Sequence, residues 1–392
     1  VSDLLADIAD VGRDAKRGGY SRHGFAPAEL ELRQWFTAEA GKRGLDVRAD
    51  RNGNLWAWWG KPGRNAVVTG SHLDSVPGGG AFDGPLGVVS ALQAVDVLRA
   101  KGFVPTRPFA VVVFVEEEGG RFGVACLGSR LMTGAISPQA AAKLTDPDGV
   151  TFGEAAHKAG FDPLRMGRDE RALSMIGDFV ELHVEQGRGL DVPVGVASSI
   201  LAHGRWRFSF TGEGNHAGAT LIEDRRDPML PASRMVLAAR RAATGGARAT
   251  VGRLIPNPGG TNVIASSVDV WLDARAAEDE RTREVVAEIT AAASRAAEDE
   301  GCSLKVTEES YGDTVHFDPD LRDSLAAVLG GVPALPTGAG HDAGILAAHT
   351  RTAMLFVRNP TGVSHAPEEF ASSDDCAAGV VALATTVEHL AT

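Results

Sequence analysis

The sequence predicts a mixed-sheet α/β domain over residues 1–204 and 312–392, interrupted by an inserted ferredoxin-like β-α-β-β-α-β module over 205–311. Three observations predict it. The apolar run Ala66-Val67-Val68-Thr69 enters a glycine-rich turn, Gly70 to Gly84, and then a helical pattern from Pro85 to Ala100 with Val88, Leu92 and Val95 on one side. Phe109 to Val115 is apolar throughout, as a strand covered on both faces should be. Between about Arg205 and Ser310 the pattern changes to alternating strands separated by two helices.

In chain order, Pro27 suits a first helical turn, Leu32 and Phe36 repeat at helical spacing, and Gly41 and Gly44 supply a stop. Asp46–Ala49 and Leu55–Trp59 flank Asn52-Gly53, a strong hairpin signal. Trp56, Trp58 and Trp59 then pack strand faces. Gly134 to Gly177 reads as short helices and turns. Phe179 to Gly187 is a second apolar strand, ending in His183, Glu185 and Gln186. In the inserted module, strands are expected at Trp206–Thr211, Ala249–Leu254, Val268–Ala274 and Ser303–Glu309. Asp227-Pro228 caps a helix to about Ala243, and Glu278–Glu300 is a long helix. The chain returns to the first domain with Gly338-Ala339-Gly340-His341-Asp342-Ala343, a strand at Ala353–Val357, the segment Thr361 to Glu369 and a C-terminal helix.

Composition narrows the function classes. With 392 residues, 44% of them hydrophobic, the chain can fill the cores of two domains. A net charge of -12 argues against nucleic acid or an anionic membrane as partner, since both call for a basic face. Cys126, Cys302 and Cys376 have no metal-type spacing and make no disulfide framework, which predicts a reducing cytoplasm. No apolar run approaches membrane-spanning length.

Candidate chemistry gathers at strand ends and glycine-bearing loops: His72, Asp83, Glu117 or Glu118, His183 and His365. Three consecutive acids, Glu116-Glu117-Glu118, follow a buried strand, where their repulsion has to be neutralised, and a cation would do so. Histidines and carboxylates from separate loops suit nitrogen and oxygen ligation of two divalent ions sharing one carboxylate.

The segments GSHLDSVPGGGAFDG, EEEGGRFG, ELHVEQG, NHAG, GTNV followed by WLDAR, GAGHDA and GVSHAPEE, spread over residues 70 to 369, together resemble the dinuclear metal amidohydrolases and peptidases. The likeness is strongest to the branch of N-carbamoyl-L-amino acid hydrolases, β-ureidopropionases and allantoate amidohydrolases. The resemblance implies that His72, Asp83 and His183 hold one ion, that Asp83, Glu118 and His365 hold the other, and that Glu117 is the general base. Asp74 would orient His72. His216, Asn262 and Arg275 in the inserted module, with Gln186 and His341 in the first domain, would contact substrate and oxyanion. The family implies a homodimer whose inserted module acts as lid and dimerisation domain. Zinc or manganese suits the ligands, with cobalt or nickel as alternatives. The chain departs from its relatives at Ala219-Thr220-Leu221-Ile222, on the substrate side.

The expected reaction is hydrolysis of a ureido or amide C–N bond in a small carboxylate, with an N-carbamoyl-L-amino acid first and allantoate second. A dipeptidase or carboxypeptidase is the third reading. The intact Glu117 and full ligand set argue against a silent binding module. Arg275 follows Asn262 by 13 residues, as the family's arginine does, and its fork suits the substrate carboxylate. A lone strand-end arginine would otherwise pair with Asp273 or Glu278.

Overall fold

The computed structural model describes residues 1–392, apart from the side chain of Ser2. The chain divides into two compact units, Val1–Ser199 with His316–Thr392, and Ile200–Val315.

The first unit is built on a nine-stranded mixed sheet. Its centre is parallel: Phe109–Phe114, Ala66–His72, Ile176–Val184 and Arg351–Val357 lie side by side in that order. The hairpin Asp46–Ala49 and Leu55–Trp59 adds antiparallel strands beside Phe109–Phe114, and Val194–Ile200 runs antiparallel beside Arg351–Val357. The central strands are buried on both faces; Phe109–Phe114 is apolar throughout, while Ala66–His72 carries Thr69 and Ile176–Val184 carries Asp178 and Glu181 among their apolar residues. The Pro85–Ala100 helix packs against the C-terminal helix Ser373–Leu390. It is buried on more sides than the expected stripe, with Leu86, Val89, Ala91, Ala94 and Leu98 inside as well as Val88, Leu92 and Val95.

The second unit has a four-stranded antiparallel sheet in the order Ser303–Gly312, Ala202–Thr211, Ser267–Ala276, Arg248–Asn257. The helices Met229–Ala242 and Asp279–Asp299 pack on one another, and alternate strand residues, Phe208, Phe210, Val268, Val270 and Leu272, meet Met235, Ala239, Ile289 and Ala293 in one core. Counting the four-stranded sheet and its two helices alone, without the Asn215–His216 and Val263–Ile264 ribbon, the order along the chain is β-α-β-β-α-β.

One local expectation needs correcting. Gly41 does not end the first long helix, which runs Pro27–Lys42; the stop is Gly44, whose φ of 60° a helix cannot continue. The Asp227-Pro228 start of Met229–Ala242 is as expected, with Pro228 at the N-cap and Asp227 Oδ1 accepting the Met229 amide. Strands at Val194–Ile200 and Ala334–Thr337, and the ribbon of Asn215–His216 with Val263–Ile264, carry too few β-branched residues in alternation to stand out in the sequence. No helix among the described residues is long and apolar enough to cross a membrane.

Candidate metal centre

His72 is the last residue of its strand and His183 the penultimate residue of the neighbouring parallel strand, so both imidazoles emerge at the carboxyl edge of the sheet. Hydrogen bonds fix their tautomers. His72 Nδ1 donates to the backbone carbonyl of Asp74 at 3.0 Å and His183 Nδ1 to that of Val184 at 2.8 Å, so in the neutral ring the lone pair of each sits on Nε2, the nitrogen placed to ligate. Asp83 lies between them, its Oδ1 3.4 Å from His72 Nε2 and 3.2 Å from His183 Nε2. Its other oxygen faces His365 Nε2 at 3.4 Å, and Glu118 Oε2 is 3.4 Å from the same nitrogen. Three donor groups result, each with its ligand atoms within 4.8 Å of one another: His72-Asp83-His183 and Asp83-Glu118-His365, with Asp83 common to both, and Glu181-His183-His341, which shares His183 with the first.

These residues fit a divalent ion. The buried Nε2 atoms of His72 and His183 and Oε1 of Glu118 have no hydrogen-bond partner, a costly arrangement for polar atoms unless something coordinates them. Charges tell the same story. Burial opposes ionisation of both members, yet Asp83 pushes the His183 pKa up to about 9, while His183 and His72 hold Asp83 well below its ordinary range. Burial and the Asp83 charge raise Glu118 well above its usual value. A cation would relieve this crowding of carboxylates.

Glu117 is 5% exposed, with Oε2 3.6 Å from His72 Nε2. Asp74 serves this corner in a way its spacing from His72 did not reveal. Its carbonyl, not its carboxylate, receives the imidazole, and its carboxylate accepts the amides of Glu117 at 3.1 Å and Glu118 at 3.0 Å. Gly84 closes the loop at φ 83°, and a Cβ there would lie 2.5 Å from the His72 ring. Left-handed backbone at Glu116, Cys126 and His365 clusters around the same loops.

Gln186 donates to Asp83 Oδ2 at 2.6 Å and lies 3.3 Å from His365. The His341 ring stands 4.5 Å from that of His183, and burial together with the His183 charge holds it well below its ordinary pKa. His216 pairs with Val263 on the small ribbon of the second unit, and Asn262 immediately precedes that pair, its carbonyl accepting the Ala217 amide. His216 Nδ1 accepts the amides of Gly218 and Ala219, so its proton is on an Nε2 free to donate. Arg275, toward the other end of its strand, turns its fork on Asp273, with Nε donating to Oδ1 at 2.7 Å and Nη2 to Oδ2 at 2.9 Å.

Three groups at the centre, Glu181, Cys126 and Ser129, escaped the sequence reading, and Glu116 entered it only as one of three crowded acids. Glu181, buried two residues before His183, accepts Ser71 Oγ at 2.9 Å and the Ala343 amide at 3.0 Å. Residues two apart share a strand face, so the Glu-x-His spacing was an available signal. Cys126 Sγ donates to Glu117 Oε1 at 3.3 Å, Ser129 bonds Asp342, and Glu116 accepts amides of Gly24, Arg121 and Phe122. These partners are distant in sequence or in loops, and no local pattern announces them. Surface cavities of about 510 and 620 Å³ are lined by Trp56 and Trp58 and by Val192 and Val381 respectively, and neither is lined by His72, Asp83, Glu118, His183 or His365.

A mixed α/β sheet that delivers bare imidazoles and carboxylates to one edge defines a protein fitted for divalent metal. The chain belongs to the peptidase family M20/M25/M40, whose model matches residues 68–389. It is 36% identical over 402 residues to the N-carbamoyl-L-amino acid amidohydrolase of Geobacillus stearothermophilus, covering 99% of this chain and 97% of that one. The allantoate amidohydrolase of Bacillus subtilis is 30% identical over 404 residues, covering 100% and 97%. The crystal structure of a hydantoinase/carbamoylase-family amidase from Burkholderia multivorans superposes with a TM-score of 0.87 at 30% identity, covering 100% of this chain and 97% of that chain.

Proposed function

We propose that the protein hydrolyses the ureido C–N bond of an N-carbamoyl-L-amino acid, giving the free amino acid, carbon dioxide and ammonia. One observation carries the proposal: two imidazole-carboxylate donor groups share Asp83, with the buried carboxylate of Glu117 beside them. Similarity along nearly the whole chain to an enzyme of that name supports the substrate class. Allantoate, a ureido acid of the same chemistry, is the second reading, supported by the likeness to an allantoate amidohydrolase.

His72, Asp83 and His183 would hold one divalent ion and Asp83, Glu118 and His365 a second, zinc or manganese by ligand type, with cobalt or nickel also suited. Bound there, the ions supply Lewis acidity toward the scissile carbonyl and acidify water. Glu117 takes the proton of the attacking water on one carboxylate oxygen and delivers it to the leaving nitrogen. Asp74 keeps Glu117 in place through its amide. His216 donates from Nε2 to the developing oxyanion. Arg275 holds the substrate carboxylate, Asn262 makes a further substrate contact, and Gln186 and His341 complete the set; as in dimeric relatives, some of the inserted module's residues reach the partner's site. In this reading the inserted module is a ferredoxin-like lid and dimerisation domain, and the protein is a homodimer. The free cysteines suit a reducing cytoplasm.

Ammonia release from a panel of N-carbamoyl-L-amino acids, β-ureidopropionate, allantoate and dipeptides tests the assignment. The highest kcat/KM should fall on an N-carbamoyl-L-amino acid. A preference for allantoate would select the second reading, and cleavage of dipeptides alone would overturn both.

A further inference from the structure

Glu369 is 4% exposed and holds two loops together. Its Oε1 accepts the backbone N–H groups of Phe82 and Asp83, both at 2.9 Å. Ser364 Oγ lies 3.5 Å from its Oε2 and 3.4 Å from Asp83 Oδ2. The Glu369 amide in turn donates to Ala366 O at 3.1 Å, closing the turn after His365. One carboxylate therefore ties the loop that presents Asp83 to the loop that presents His365. The seat is tight. A Cβ at Gly80 would lie 2.3 Å from Glu369 Oε1, so glycine at this position keeps the seat open.

We propose that Glu369, seated against Gly80, is a positioning residue for Asp83. By fixing two successive amides it sets the backbone from which Asp83 turns one oxygen to His72 and His183 and the other to His365. The inference rests on the metal reading above and extends it to a group that itself ligates nothing. Hydrogen bonds behind metal ligands are commonly worth about 10- to 100-fold in affinity.

The test is Zn²⁺ titration of the metal-free, full-length chain against a chromophoric chelator, with thermal melting of the metal-free protein as the folding control. Glu369→Gln keeps an oxygen for the two amides and loses the charge. Gly80→Ala keeps the charge and displaces the oxygen. Positioning requires that Glu369→Ala and Gly80→Ala each weaken at least one Zn²⁺ site by about 10- to 100-fold, and that Glu369→Gln stay within a few-fold of wild type. If Glu369→Gln is as weak as Glu369→Ala while Gly80→Ala binds normally, Glu369 acts through its charge and the proposal is overturned. Wild-type affinity in all three variants overturns it as well. Should Glu369→Ala fail to fold, the Gln and Gly80 variants decide between the outcomes. A wild-type chain that takes up no Zn²⁺ refutes the metal reading itself, and this inference with it, before any variant is compared.

Discussion

Replacing Glu117 by Gln should make the enzyme nearly inactive and its metal-free form more stable. The substitution is isosteric, and the backbone amide that Asp74 Oδ1 accepts at 3.1 Å is untouched. An amide oxygen can still accept from Cys126 Sγ, which lies 3.3 Å from Glu117 Oε1. What is lost is the basic oxygen near His72. Removing a general base costs roughly 100- to 10,000-fold in rate, or about 2.7–5.4 kcal/mol of transition-state stabilisation at 1.36 kcal/mol per tenfold. Stability should move the other way. Burial, opposed by His72 and reinforced by Glu181, Asp74 and Asp83, pushes the Glu117 pKa up to about 7 in the metal-free fold, whereas an unfolded glutamate titrates near about 4.3. Folding therefore binds a proton in that interval, and the wild type loses stability as pH rises through it. The Tm advantage of Glu117→Gln should be absent below about pH 4, grow up to about pH 7 and then level off. The assays are kcat/KM by ammonia release, elemental analysis, and melting of chelator-treated protein across pH. Activity within a few-fold of wild type would show that another group is the base. Loss of metal in the variant would make Glu117 a ligand and refute its role as the base.

Metal uptake should release protons at neutral pH, because Asp83 keeps His183 protonated up to about pH 9 in the metal-free chain and ligation needs the neutral imidazole. Calorimetric titration in buffers of different ionisation enthalpy measures this, and a buffer-independent heat at pH 7 would refute it. Arg275→Lys should cut kcat/KM for a carboxylate substrate by more than about tenfold, since an ammonium cannot reproduce the fork. Equal losses on a substrate whose carboxylate is amidated would assign Arg275 to supporting its own strand through Asp273.

Much of this architecture was legible because buried parallel strands write themselves as unbroken apolar runs. Phe109–Phe114 stands out in that way and Ala66–His72 does so over Ala66-Val67-Val68, and the residues at their ends mark the edge where donors gather. What stayed hidden depends on contacts through space. Asp74 follows His72 by two residues, and spacing gave no indication that its carbonyl would meet the imidazole while its carboxylate turned to Glu117 and Glu118. The Arg275 fork could be read as a clamp or as a partner of Asp273, and in this structure it rests on Asp273. Cys126 reaches Glu117 across a loop and nothing in its own neighbourhood marks it, whereas Glu369 stands inside the GVSHAPEE segment and only its bonds to the Phe82 and Asp83 amides were out of view. Gly41 misled for a simpler reason: one glycine near the end of a helix is tolerated when its neighbours pack, and termination waits for a residue that adopts positive φ.

The claim on which the rest depends is that the Asp83 carboxylate is shared by two divalent ions. Anomalous diffraction from crystals of the metal-reconstituted protein, collected at the absorption edge of the added metal, tests it most directly. Two peaks are expected, one beside His72 and His183 and one beside Glu118 and His365, with an Asp83 oxygen within about 2.0–2.2 Å of each. A single peak at full loading, or an Asp83 carboxylate turned away from both positions, would contradict the account.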